Sequence, residues 1–111
     1  MEFTATYKYA RISAQKVSSV AELIRGKHVN DALQILRMTP KRASYFLDKV
    51  LRSAVANADE SLEADMESLR IKDARVEGGP MRKRWRAGPR GRAMTQRRRT
   101  SHISIVLDDA Q

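Results

Sequence analysis

Residues 78–101 read GGPMRKRWRAGPRGRAMTQRRRTS, and the fold turns on whether this stretch is a tail or a hairpin. It holds nine basic residues, four Gly, two Pro, one Trp and no acidic residue in 24 positions. Nine of the 22 basic residues of the chain and none of its 13 acidic ones fall here, so the remainder balances at 13 of each sign. The whole net charge of +9 therefore sits in one block of a 111-residue chain. Clustered cations repel one another until an anionic partner neutralises them, so the block points to a polyanion.

What flanks the block decides its geometry. Downstream, HISIVLD at 102–108 alternates Ile103, Ile105 and Leu107 with Ser104 and Val106, the period of two that a half-buried strand requires. Upstream, Leu69 and Ile71 alternate with Arg70 and Lys72, but Ala74 and Val76 fall on the other parity. Either a bulge near Asp73 restores the facing or the strand changes faces there. A basic block between two strands is an overlong hairpin. Twelve residues per limb at about 3.3 Å reach on the order of 40 Å, past the radius of about 13 Å of a 100-residue body. Residues 78–101 are thus expected to form a β-hairpin arm projecting from a single domain spanning 1–111. With no apolar face and no two-residue turn signal, the arm is expected to take its order from a partner.

The rest of the chain supplies a small core. FTATYKYA at 3–10 alternates Phe3, Ala5, Tyr7 and Tyr9 against Thr4, Thr6 and Lys8, predicting a first strand. Ser13 is placed to cap a helix whose stripe is Val17, Val20, Ala21 and Ile24, with Gly26 as its stop. Asn30 is expected to cap a second helix carrying Ala32, Leu33, Ile35 and Leu36. Thr39-Pro40 is read as the end of that helix and the start of a third, with Thr39 as N-cap and Pro40 in the first turn. The third helix carries the clearest stripe: Ala43, Phe46, Leu47, Val50, Leu51, Ala54, Val55 and Ala58. ADESLEADMES at 58–68 holds five acidic residues and no basic one, and reads as a solvated loop or frayed helix end.

Catalysis finds no foothold. The chain has no Cys, and its two His, His28 and His102, lack metal-ligand spacing. Asp59, Glu60, Glu63, Asp65 and Glu67 do not follow a calcium-loop pattern, and no phosphate-binding glycine loop is present. No enzyme activity, cofactor or metal is expected. No stretch nears the roughly 18 apolar residues of a membrane span, and the absence of Cys suits a reducing compartment. A soluble intracellular protein is expected.

Eight of the nine arm cations are Arg, whose planar fork grips phosphate at two points and stacks on bases. Candidate RNA contacts in the arm are Arg82, Lys83, Arg84, Arg86, Arg90, Arg92, Arg97, Arg98 and Arg99, with Trp85 as a stacking residue. The alternative reading lays the Trp85 indole against the protein's own surface. Lys8, Arg11 and Lys16, around the start of the first helix, extend the basic surface or form an ordinary solvated face. A basic block also resembles a nuclear-import signal, and a basic β-arm could embrace DNA as in architectural proteins.

SAQKVSSVAELIRGK at 13–27, TPKRASYFLDKVLRSAVANA at 39–58, GRA at 91–93 and RRTSHISIVL at 98–107 occur in an order and spacing that resemble the bacterial large-subunit ribosomal protein L twenty-two family. The resemblance covers essentially the whole chain. It implies an α+β fold of three helices packed on a three-stranded antiparallel sheet, with a long protruding basic β-hairpin. It also implies binding of large-subunit ribosomal RNA, a part in subunit assembly and a cytoplasmic place in the large subunit beside other ribosomal proteins. The hairpin would line the nascent-peptide exit tunnel. Self-association and a membrane are not needed. Carried over onto this chain, Ser13, Gln15 and Lys16 match the family's RNA-contacting helix start. Gly91, Arg92 and Ala93 match its tip, with Gly88, Pro89 and Arg90 completing the tunnel-lining segment. Arg98, Arg99, Thr100, Ser101 and His102 match its basic stem. Ser18 stands where the family usually has a basic residue, and the tip reads AGPRGRA where PRAxGRA is commoner.

Overall fold

In the computed structural model of the chain, the described residues are 1–61, 64–87 and 93–109; within 82–87 and 93–98 the description is of the backbone. The order is β1 (Glu2–Ala10), α1 (Ala14–Ile24), α2 (Val29–Met38), α3 (Arg42–Glu60), a 3-10 turn (Met66–Ser68), β2 (Arg70–Gly78), β3 (Arg82–Ala87), β4 (Ala93–Arg98) and β5 (Ser101–Asp108). β5 lies between β1 and β2 in an antiparallel sheet of order β1-β5-β2, and β3 and β4 form a separate antiparallel pair. The expected α+β architecture of three helices on a three-stranded antiparallel sheet is what the chain forms.

Apolar spacing dictates the layers. Ile103, Ile105 and Leu107 are buried on one face of β5, and α3 covers that face with Ala43, Phe46, Leu47, Val50, Leu51, Ala54 and Ala58. α1 packs on β2 through Val17, Val20, Ala21 and Ile24, while α2 braces α1 and α3. β2 solves its parity conflict by a bulge: Ile71 faces Leu107 and Asp73 faces Val106, so one extra residue returns Ala74 to the core. The outer edge of β2 is not bare. The Gly26 amide donates to the Ile71 carbonyl and the Ile71 amide to the Lys27 carbonyl, both at 2.9 Å. Gly26 makes this turn at φ +77°, a conformation glycine adopts at little cost.

Three local expectations are corrected. Asn30 does not cap α2. His28 does, its Nδ1 accepting from the Asn30 amide at 3.2 Å while Nε2 donates to the Glu67 carbonyl at 2.6 Å. α3 begins two residues later than expected, with Lys41 at its cap position. Thr39, extended before Pro40, closes α2 by donating its hydroxyl to the Ile35 carbonyl at 2.7 Å. Third, Tyr9 does not join Phe3, Ala5 and Tyr7. The register steps from Tyr7 opposite Ile103 to Ala10 opposite Ser101, so β1 carries one residue more than β5 there. Ala10 takes the inward place and Tyr9 turns out.

The double role of His28 gives a stability prediction. His28→Ala removes both a helix cap and the tether to Glu67, for an expected loss of about 1–2 kcal/mol. Thermal melting should fall by about 5–10 °C; an unchanged midpoint would show that neither bond matters.

Candidate nucleic-acid interface

The arm and the body meet where three strand ends converge. Ser101, the first residue of β5, lies opposite both Ala10 of β1 and Gly78 of β2. Beyond it the main sheet stops, and Gly79, Pro80 and Met81 face Arg99 and Thr100 across a break before β3 and β4 begin. Pro80, with no amide hydrogen to give, sits in this gap rather than in a ladder. The gap is stitched by the Gly79 amide donating to the Thr100 carbonyl at 2.9 Å and the Thr100 hydroxyl donating to the Pro80 carbonyl at 2.7 Å. A Cβ on Gly79 would stand 2.6 Å from Thr100 Oγ1 and 3.2 Å from His102 Cε1, so only glycine fits against this root without a shift.

Past the root, six pairs join the limbs: Arg82 with Arg98, Lys83 with Arg97, Arg84 with Gln96, Trp85 with Thr95, Arg86 with Met94 and Ala87 with Ala93. The limbs are joined by main-chain pairing, which needs no apolar face. The molecule measures 63 × 24 × 16 Å, with a radius of gyration of 17.0 Å against about 13 Å for a compact chain of this length. The tip expectations on Gly88, Pro89, Arg90, Gly91 and Arg92 lie outside the described residues.

Four cations of the body are neutralised: Lys72 pairs with Glu2, Arg75 with Asp73 at 2.8 Å, Arg52 with Asp48 at 2.9 Å, and Arg25 reaches Asp73 at 3.9 Å. The Arg75 guanidinium donates to the Asp73 carboxylate and holds it below the usual carboxylate range. Lys27, Arg37, Lys41, Arg42, Lys49 and Arg70, spread over the helices, their connections and the start of β2, pair with no carboxylate among the described residues, and neither do the cations around the root. Lys8, Arg11, Lys16 and Arg99 are exposed and pair with no carboxylate among the described residues. Gln15 is exposed beside them, and Ser13 holds the cap position of α1 without a side-chain cap bond. These cations give the root a local excess of positive charge, a condition that favours phosphate as ligand.

Not every sequence candidate reaches that surface. Ser101 is fully buried and its hydroxyl has no hydrogen-bond partner. Thr100 is occupied in the stitch to Pro80. His102 is half-buried, with its Nδ1 accepting from the Tyr9 amide at 3.1 Å. A residue that sequence reading missed is Tyr9 itself, 60% exposed between Lys8 and Arg11. The signal was present in KYAR, an aromatic residue set among cations where its strand ends.

No group of three or more His, Asp or Glu among the described residues is placed to hold a metal, and no described helix is long and apolar enough to cross a membrane. Fold and charge together define a small basic α+β protein that bears an acid-free β-hairpin. Comparison with known proteins gives its family. The family model described as ribosomal protein L22p/L17e matches residues 5–108, and the chain belongs to that family, which is structural rather than enzymatic. A large ribosomal subunit protein uL22 from Pelotomaculum thermopropionicum is 51% identical over 109 residues, covering 98% of this chain and 96% of the relative. Its counterpart in Carboxydothermus hydrogenoformans is 51% identical over 107 residues, 96% and 95% of the two chains. That of Akkermansia muciniphila is 45% identical over 111 residues, 100% and 99%.

Proposed function

We propose that the chain is a structural constituent of the large ribosomal subunit that binds large-subunit ribosomal RNA through its arm and root, assists subunit assembly and works in the cytoplasm. Residues 78–101 act as one projecting arm. Its tip, residues 88–93, lines the nascent-peptide exit tunnel and touches the passing peptide, while the body meets RNA and neighbouring ribosomal proteins. Family membership supports the coarse reading. The observation that carries RNA binding is the arm register, which sets Arg82 against Arg98 and Lys83 against Arg97 with no acidic residue in the segment. Like charges directly opposite one another destabilise a ladder, so such pairs are tolerable where phosphates lie between and around them. Crosslinking in cells, followed by identification of the nucleic acid attached to residues 82–99, tests this. Large-subunit ribosomal RNA is expected. Attachment mainly to DNA or messenger RNA, or recovery of the protein only in low-mass fractions, would overturn the reading.

A further inference from the structure

Tyr9 combines three features that the fold does not need. It is an outward-turned bulge residue at φ +62°, a left-handed conformation that a bulky side chain adopts only under strain. It is 60% exposed. Its orientation is nevertheless fixed. The Tyr9 amide donates to His102 Nδ1, and the two rings meet edge to face at 4.9 Å and 87°. Behind it, His102 is backed by Gly79 of the arm root. An edge-to-face contact with His102 covers at most one face of the phenol. Lys8 precedes it and Arg11 follows two positions on, both exposed and without a carboxylate partner among the described residues.

We propose that Tyr9 is a stacking platform for one unpaired nucleobase of the bound RNA, with Lys8 and Arg11 holding the phosphates on either side of that nucleotide. The proposal rests on the RNA-binding reading above and adds to it a base contact at the root of the arm. A fixed, exposed aromatic ring between two free cations matches the elements by which single-stranded nucleotides are held: a π-face for the base and cations for its backbone. A protein partner would use the ring as an apolar anchor and leave the cations unanswered.

The test uses the full chain and protein-free large-subunit ribosomal RNA, with the variants Tyr9→Gly and Tyr9→Phe. Glycine relieves the positive φ, so Tyr9→Gly is expected to melt no lower than the parent while binding the RNA about 5- to 100-fold more weakly. Because no charge is removed, the slope of log K against log salt should not change. Tyr9→Phe keeps the ring and should bind within about twofold of the parent. Parent-like affinity of Tyr9→Gly, or a loss by Tyr9→Phe as large as by Tyr9→Gly, would overturn the stacking role while leaving RNA binding intact. Failure of the parent chain to bind would instead overturn the underlying reading, and Tyr9 with it.

Discussion

Replacing Arg97, Arg98 and Arg99 together by Ala is expected to cut RNA affinity far more than it alters the fold. If all nine arm cations meet phosphates, log K falls against log salt with a slope of about −6 to −8, and a fourfold rise in salt weakens binding about 10⁴- to 10⁵-fold. Removing three contacts should flatten the slope by about 2 to 3. The effect on stability should lie within about 0.5 kcal/mol, because surface substitutions away from core, caps and buried networks cost little. Arg99 is exposed and pairs with no described carboxylate. Arg97 and Arg98 stand opposite Lys83 and Arg82, so their loss relieves repulsion in the free protein. Salt-dependent binding and thermal melting of the same variant separate the two effects. A slope unchanged from the parent would mean that these three arginines do not meet phosphate.

That separation follows from how the two parts of the chain are specified. The body was legible because burial enforces a period. The stripe from Ala43 to Ala58 could only be a helix facing a core, and the parity conflict around Asp73 could be met by one extra residue, as it is. Where the reading erred, the deciding partner was remote in sequence. His28 carries no capping signal of its own in the sequence, yet its ring caps α2 through the Asn30 amide and is held in place by the Glu67 carbonyl 39 positions away. Tyr9 looked like a fourth member of an inward row, yet it is turned out by a bulge whose acceptor, His102, lies 93 positions on. Thr39-Pro40 carries the chemistry of a helix boundary in both directions, and which residue starts α3 depends on packing that a dipeptide does not encode. Charge, in contrast, is additive and local, so the arm was visible from composition. Its division into a stitched root and a separate ladder was not, because the stitch joins Gly79 and Pro80 to Thr100 across the hairpin.

Ile105→Ala is expected to be the most damaging single truncation in the body, and the reason lies in the row it occupies. Ile105 is fully buried in the central strand, and the residues opposite it on either side are Ala5 of β1 and Ala74 of β2. One large side chain thus fills the middle of a row flanked by methyl groups, beneath α3. Truncation leaves three alanines abreast, and neither neighbour is long enough to collapse into the gap. The penalty should sit in the upper half of the usual range for burying a cavity, about 3–5 kcal/mol. Domains of this size are stable by only about 5–15 kcal/mol, so the loss approaches the whole margin. Val106→Ala, one residue along, removes a half-buried side chain from the opposite face of the same strand and should cost less than about 1.5 kcal/mol. Urea unfolding of both variants measures the difference. Equal losses would mean that the sheet is not one-sided and that the outer face of β5 is packed as tightly as the inner. Ile105→Val, which keeps most of the volume, should cost about 0.5–1.5 kcal/mol and leave RNA affinity unchanged, since the core positions the arm root without touching the ligand.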